Sequence, residues 1–426
     1  MNQFEDNIEF AKELDQADPL ASFKKRFYIQ EGVIYMDGNS CGLASVDAEK
    51  YLLKALEDWK KYGIELWSKP NEGYFLYQDK LGELTAPLIN AKSEEITICT
   101  NTTINIHQAV ATFYNPTEKR NKIIMDDLNF PTDRYAVYSQ IKLHGYNPEE
   151  SLKIVKSRDG KTLNEDDFIE AMTDDVCMIL LPSVLYRSSY LLNMEKISKV
   201  AKERGVIVGF DLCHSIGSVP HDFSKIDCDF AVWCTYKYLN GGPGSIAGIY
   251  INEKHFKKEP GLAGWHGNKK ETQFDLKQNF EHAEYAGGWQ TGTQPIFSMA
   301  PIEGSLRMYE EAGIENVRKK SLKITAYLMH LVDTKLSKYG FTIGNPTDNK
   351  IRGGHVALEH EEAVRINKAM IKKDIIPDFR YPNVIRVAPI PFYTSYEDVF
   401  NFVNRTVQIM EDKEYEKFSY ERETVA

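Results

Sequence analysis

"FDLCHSIGSV" runs from Phe210 to Val219, and "FAVWCTYKYLNGGPG" from Phe230 to Gly244. Each opens on a run of apolar residues, the pattern of a strand buried on both faces. Each then turns polar. The first leaves Asp211 and His214 at its end, the second Tyr236 and Lys237. Outward from these two, "NKIIMDD", "VCMILLP" and "IAGIYIN" repeat the strand pattern between residues 121 and 251. Helical segments separate them, such as "MEKISKVAKERG", which ends on a glycine suited to a C-cap. This alternation predicts an α/β fold with a mostly parallel sheet covered on both faces. Ligands of such sheets bind at the carboxyl ends of the strands.

The flanks read differently. Residues 8–28 suggest one or two amphipathic helices, and "VIYMDGNSCGLAS" (33–45) a short strand with a Gly/Asn/Ser turn. Leu52, Leu53, Leu56 and Trp59 have helical spacing within 46–62, and "EITICTNTTINIHQAVATFY" is strand, polar turn and helix. From about residue 300 a long helical stretch leads into "FTIG", "HVALEH", a helix, "VIRVAP" and a last helix, which suggests a small α+β domain. The expected organisation is an N-terminal segment, 1–45, that joins the small domain, then a large cofactor-binding domain, 46–300, and the small C-terminal domain, 301–426. The charged end, "KEYEKFSYERETVA", is expected to fray.

Bulk composition narrows the function classes. In 426 residues, 42% are apolar and 27% charged, ordinary globular values that argue against wholesale disorder. The net charge is −10 without any basic block, so no nucleic-acid partner is expected. Six cysteines occur without CxxC spacing, so neither a disulfide framework nor a metal site is expected, and a reducing cytoplasm fits. The opening residues are charged with no apolar h-region, and no run of about 18 apolar residues exists, so neither a secretory leader nor a membrane span is expected.

The chemistry centres on Lys237. Most lysines are solvated, but this one follows an apolar strand. A lysine amine in an apolar site has a lowered pKa and can form a Schiff base. Asp211 ends the preceding predicted strand, and its bland reading is a helix cap or an ion-pair partner. If the two strands are neighbours, an acid and a lysine share one cleft. An acid that keeps a pyridinium protonated and a lysine that bonds an aldehyde are the minimum set for pyridoxal phosphate. His214 either touches the ring's substituents or sits under the turn. Thr102 and Thr103 stand at a predicted helix start, where free N–H groups favour an anion, though plain capping explains them equally. In "NFPTDRY", Phe130 could stack on a flat ring or belong to the core, and Asp133 could hydrogen-bond the ring. "GGPGSIAG" lacks the third glycine of a dinucleotide fingerprint and precedes a strand, so its glycines better serve a tight turn after the lysine.

"FDLCHSIGSV", "WCTYKYLNGGPGSIAG", "GWHGN" and "GWQTGTQPIFSMAP", with "IYMDGNSCGL" and "RVAPIPFYTSYEDV", resemble the kynureninases, pyridoxal-phosphate enzymes of the class-V aminotransferase superfamily. The resemblance spans about residues 33–411. It implies the fold type I architecture, normally a homodimer with sites at the interface. It also implies roles. Lys237 would carry the cofactor as a Schiff base, and Asp211 would pair with the pyridine nitrogen with His214 beside it. Thr102 and Thr103 would bind phosphate, Phe130 would stack on the ring, and Asp133 would lie nearby. Tyr236 would touch the phosphate and donate a proton. Trp265 and Thr293 would reach in from the neighbouring subunit, and Arg386 would grip the substrate α-carboxylate bidentately. The implied reaction is hydrolytic Cβ–Cγ cleavage of L-kynurenine or 3-hydroxykynurenine to anthranilate or its 3-hydroxy form and L-alanine, as in tryptophan catabolism.

Three positions depart from the pattern. Ile64 stands where the family has a histidine near the substrate's aryl ring, His266 where other members can have an aromatic residue, and Thr293 where some have asparagine. All three would lie toward the substrate's distal group, so the cofactor set is intact while the substrate stays open. Another class-V enzyme, an aminotransferase or a lyase acting on a different amino acid, is the alternative. A desulfurase is disfavoured, since no cysteine follows Cys234. A non-catalytic cofactor-binding protein would have little need of Lys237, Asp211 and Arg386 together.

Overall fold

The computed structural model describes residues 4–71 and 73–421. Its large sheet has seven strands. Leu152–Val155, Lys122–Asp126, Val176–Pro182, Ile207–Asp211 and Phe230–Trp233 lie side by side in that order, all parallel. Gly248–Ile251 runs antiparallel beside Phe230–Trp233, and Ile96–Ile98 pairs antiparallel with it at the far edge. The mostly parallel α/β fold expected from the sequence is therefore present. The edge strand Leu152–Val155 was not legible: its four residues are only half-buried, and a run of polar and charged residues surrounds them.

Continuous apolar strands follow from burial on both faces. Met178 and Leu180 face one core, with Phe113, Phe230 and Val232. Ile179 and Leu181 face the other, with Phe210, Trp233 and Met299. Each such side chain contributes about 1.5–3 kcal/mol by leaving water. Gly209 is required here by packing, because a Cβ would stand 2.1 Å from the Phe230 ring.

A four-stranded antiparallel sheet is ordered Asp378–Arg380, Val384–Val387, Val356–Glu359, Thr342–Ile343. It shares a third core with the Ile314–Leu331, Ala363–Lys372 and Tyr396–Glu411 helices. The N-terminal segment joins this part of the molecule: Ile34–Tyr35 pairs in parallel with Ile375–Ile376, and Asp37 bridges to Ala388. Just beyond, the backbone N–H of Gly42 donates to the carbonyl of Tyr236 at 2.7 Å. A Cβ at Gly42 would stand 2.5 Å from the Lys237 carbonyl, so the close approach needs glycine. The small sheet and the lysine loop are thereby held together.

The C-terminal tail does not fray as far as residue 421. Arg365 Nε donates to the carbonyls of Tyr415 and Phe418 at 3.2 and 2.9 Å, and its guanidinium lies 4.9 Å from the Tyr420 ring centroid. Residues 422–426 of that stretch lie outside the described residues. Among the described residues no helix is long and apolar enough to cross a membrane.

Candidate active site

Asp211 ends the Ile207–Asp211 strand, and Lys237 follows the Phe230–Trp233 strand in the next loop. The two strands are parallel neighbours, with Asp211 opposite Val232. Their carboxyl ends therefore open on one side of the sheet, and a cleft of about 240 Å³ forms there. Asp211, His214, Tyr236, Lys237, Thr102, Thr103, Phe130 and Arg386 all line it. The lysine loop turns back through Gly242 and Gly244 at φ of +96° and +64°, the conformations that glycine alone adopts freely.

Lys237 Nζ lies 2.9 Å from His214 Nε2. Burial, then the charges of Lys237 and Arg386, hold the His214 pKa well below the usual imidazole range. The ring is thus neutral, and its Nε2 accepts from the lysine Nζ. Its proton then resides on Nδ1, which is buried without a partner. Of the two roles open to His214, a place under the turn is too weak a description: it is the lysine's direct neighbour.

Asp211 Oδ1 accepts from the Cys213 backbone N–H at 2.7 Å, which orients the carboxylate toward the cleft. Asp133 is fully buried in the first turn of the Pro131–Leu143 helix, and neither of its oxygens has a partner. Burial first, then the charges of Asp211 and Asp126, raises its pKa well above the usual carboxylate range. Asp133 lies behind the residues that line the cleft rather than among them.

Thr102 and Thr103 open the Thr102–Phe113 helix, whose cap is Asn101 accepting from the Ile104 N–H. Capping is therefore not what the threonines do. Thr103 Oγ1 meets Thr132 Oγ1 at 3.0 Å, so two helix starts converge on the cleft. Phe130 is 42% exposed and faces the cleft rather than the core, edge-on to Tyr186 at 5.5 Å between centroids. Burial, then the neighbouring Cys234, raises the pKa of Tyr236, so its hydroxyl keeps its proton.

Arg386 differs from the sequence reading, which gives it an open guanidinium fork. It is 1% exposed. Its Nε donates to Asp378 Oδ2 at 2.5 Å, Nη1 to the Tyr186 carbonyl at 2.9 Å and Nη2 to Ser40 Oγ at 2.8 Å. Nη2 also faces Asp378 Oδ2 as an ion pair. The strand alternation explains this: Asp378 sits directly opposite Arg386 in the antiparallel pair.

Trp265 and Thr293 do not line this cleft. Trp265 is 45% exposed, its Nε1 donates to the Gln273 carbonyl at 3.3 Å, and Thr293 is exposed. Two of the departures also stand away from it. Ile64 is 82% exposed on the Gly63–Trp67 turn, and His266 is buried against Gln290.

Several cleft residues escaped the sequence reading: Asn39, Ser40, Thr132, Tyr186, Cys213 and Arg380. For Tyr186 a signal existed, since it follows the C-terminal end of a predicted parallel strand. For Asn39 and Ser40 the signal was the Gly/Asn/Ser turn at 38–42, which carries no chemistry until the small sheet is folded onto the large one.

A family profile described as "Kynureninase C-terminal domain" matches residues 317–406. A protein named Kynureninase from Geobacillus thermodenitrificans is 52% identical over 99% of both chains. Proteins of the same name from Bacillus anthracis and Shouchella clausii are 53% and 50% identical, over 99% and 98% of both chains. Among solved structures, the cystine C–S lyase C-DES in complex with its product cysteine persulfide superimposes with a TM-score of 0.76 at 16% identity, over 88% of this chain and 98% of that one. A cysteine desulfurase from Thermococcus onnurineus gives 0.72 at 18%, over 92% and 98%. These two share the fold.

Proposed function

Because the chain belongs to the kynureninase family, we propose that it hydrolyses the Cβ–Cγ bond of L-kynurenine or 3-hydroxykynurenine, releasing L-alanine and anthranilate or 3-hydroxyanthranilate in tryptophan catabolism. The enzyme is a pyridoxal-phosphate-dependent hydrolase acting on a small amino acid of the kynurenine type. One observation carries the reading: the acid and the lysine occupy the ends of adjacent parallel strands and face one cleft, in a chain about half identical to kynureninases end to end.

The residues present fit the cofactor. His214 Nδ1 and the side-chain amide of Asn39, on residues that line the cleft, are buried without partners. Buried polar atoms left so cost about 1–3 kcal/mol each, which a polar guest relieves. Asp211 would hold a proton at the ring nitrogen, Phe130 would cover a ring face, and the helix start at Thr102 and Thr103 would take the phosphate. When bound, pyridoxal phosphate supplies the electron sink for negative charge at the substrate's Cα.

The chain's own groups do the rest. Lys237 Nζ would hold the cofactor, and as a free amine beside the substrate's Cα it would take the α-proton. Neutral His214 adds no like charge beside that amine, so proton transfer to Nζ meets no repulsion. Tyr236 holds its proton and is placed to give it to the oxygen or carbon that develops charge as Cβ–Cγ breaks. Arg386 anchors the α-carboxylate.

The same proposal makes the enzyme a cytoplasmic homodimer. The six cysteines are all free thiols, which fits a reducing compartment. Exposed Trp265, Phe274 and Leu276 lie in one loop, and exposed Trp59 and Phe297 pack 5.6 Å apart, two sets of surface apolar side chains suited to a second copy. In that dimer Trp265 and Thr293 would complete the partner's cleft, and the Ile64 departure would bear on the aryl group.

The deciding experiment mixes cofactor-loaded protein with L-kynurenine and, separately, its 3-hydroxy form. Anthranilate fluorescence and alanine release are followed. Rapid release of both products supports the proposal. A spectral shift of the cofactor without an aromatic acid refutes the substrate and favours another class-V activity.

A further inference from the structure

Arg386 is too committed to hold a carboxylate by a two-pronged grip alone. Of its five N–H groups, Nε, one on Nη1 and one on Nη2 are engaged by Asp378, Tyr186 and Ser40. Asp378 Oδ2 lies against Nη2 as well. A bidentate contact requires two free N–H groups on parallel lines. Two residues away from Asp378 on the same strand face stands Arg380, which also lines the cleft. Its side chain is 34% exposed, and its Nε donates to the same Asp378 Oδ2 at 2.9 Å. Among the described residues that is the whole of its hydrogen bonding, so both Nη groups are available.

We propose that Arg380 is a second substrate-binding residue, which together with Arg386 receives the α-carboxylate across the shared oxygen of Asp378. The charges match this guest. With Asp37, the neighbouring acid whose pKa burial and the Asp378 charge raise to about 7, holding its proton, two guanidiniums and the Asp378 carboxylate leave a single positive charge on a mostly buried cluster, and one carboxylate neutralises it. A phosphate dianion would overfill the cluster, and it has its own donors at the start of the Thr102–Phe113 helix. Arg386, held from three sides, fixes direction. Arg380, tethered through Nε alone, can swing its Nη groups onto the arriving anion and away again. The division accounts for an arginine pair where one arginine would have served in an open fork.

The proposal rests on the amino-acid reading above, and its test separates the two. The probes are 3-benzoylpropanoate, an aryl γ-keto acid without the α-amine, and its amide, titrated calorimetrically into cofactor-loaded protein. Arg380→Gln is expected to weaken the acid about tenfold or more, the loss of a charge-assisted hydrogen bond. The amide's affinity is expected to stay unchanged. Arg380→Lys should recover most of the acid's affinity, and KM for the amino-acid substrate should rise in Arg380→Gln well beyond any fall in kcat. Equal weakening of acid and amide would reduce Arg380 to a structural partner of Asp378, and undiminished acid binding in Arg380→Gln would remove it from the site. Either result overturns the assignment. Turnover of L-kynurenine by the unaltered enzyme reports separately on the reaction.

Discussion

Asp378→Asn is the sharpest perturbation the site offers. Asp378 is 2% exposed and Arg386 1% exposed. One oxygen, Oδ2, accepts from Nε of both Arg386 and Arg380. The amide keeps the shape and removes the charge, leaving a buried guanidinium with only a carbonyl and a hydroxyl. Breaking a buried pair from one side costs about 3–5 kcal/mol, and the retained amide oxygen places this case near 3. Urea unfolding of the cofactor-free protein should register it, read from the fluorescence of buried Trp233 and Trp289. A second consequence concerns Asp37. Its pKa is raised from 3.8 to about 7, first by burial and then by the charge of Asp378. The folded chain therefore keeps a proton that the unfolded chain releases. The stability this contributes is complete below about pH 4 and is lost as pH rises through about 7. Without the Asp378 charge the upper end of that window should move down. An unfolding midpoint within error of the unaltered protein, or an unchanged pH window, would refute the view that this cluster is an electrostatic unit.

Other outcomes follow from the same geometry. Lys237→Ala should abolish the cofactor's visible absorbance and its fixation by borohydride, and fixation that survives in the variant removes the lysine assignment. Arg386→Ala should raise KM far more than it weakens cofactor binding, and an unchanged KM would take the residue out of the substrate site. Lys237→Ala and Trp265→Ala, each inactive alone, should regain activity when their subunits are mixed. Random pairing gives roughly a quarter of the sites both side chains. No recovery after subunit exchange, itself verified by mass, would refute shared sites.

What the sequence made legible was whatever a single strand end determines. Apolar runs closing on Asp211 and Lys237 read directly, because both-face burial leaves one unbroken pattern and the polar end stands out against it. The adjacency of the two strands did not read, since pairing is set by packing across the sheet and neither strand's own pattern carries it. Nor did Arg380, in the short Asp378–Arg380 strand. Three residues carry no period, and its meaning comes only from the register that sets Asp378 against Arg386. Asn39 and Ser40 are hidden for the same reason, being brought to the lysine by a contact between the chain's two ends. The general form is physical. The residues proposed to hold the cofactor follow strands of the large sheet, where local pattern and position coincide. The two arginines proposed to bind the carboxylate sit on the small sheet, and only long-range pairing brings them to the cleft. Recognition of the amino acid's carboxylate would therefore be written in the part of the molecule that local sequence describes least. On the proposed function, the choice of the distal group would depend on Ile64, Trp265 and Thr293, exposed residues that would complete a partner's site. Selectivity for the aryl group should then respond to changes at the interface while the visible spectrum of the bound cofactor stays fixed.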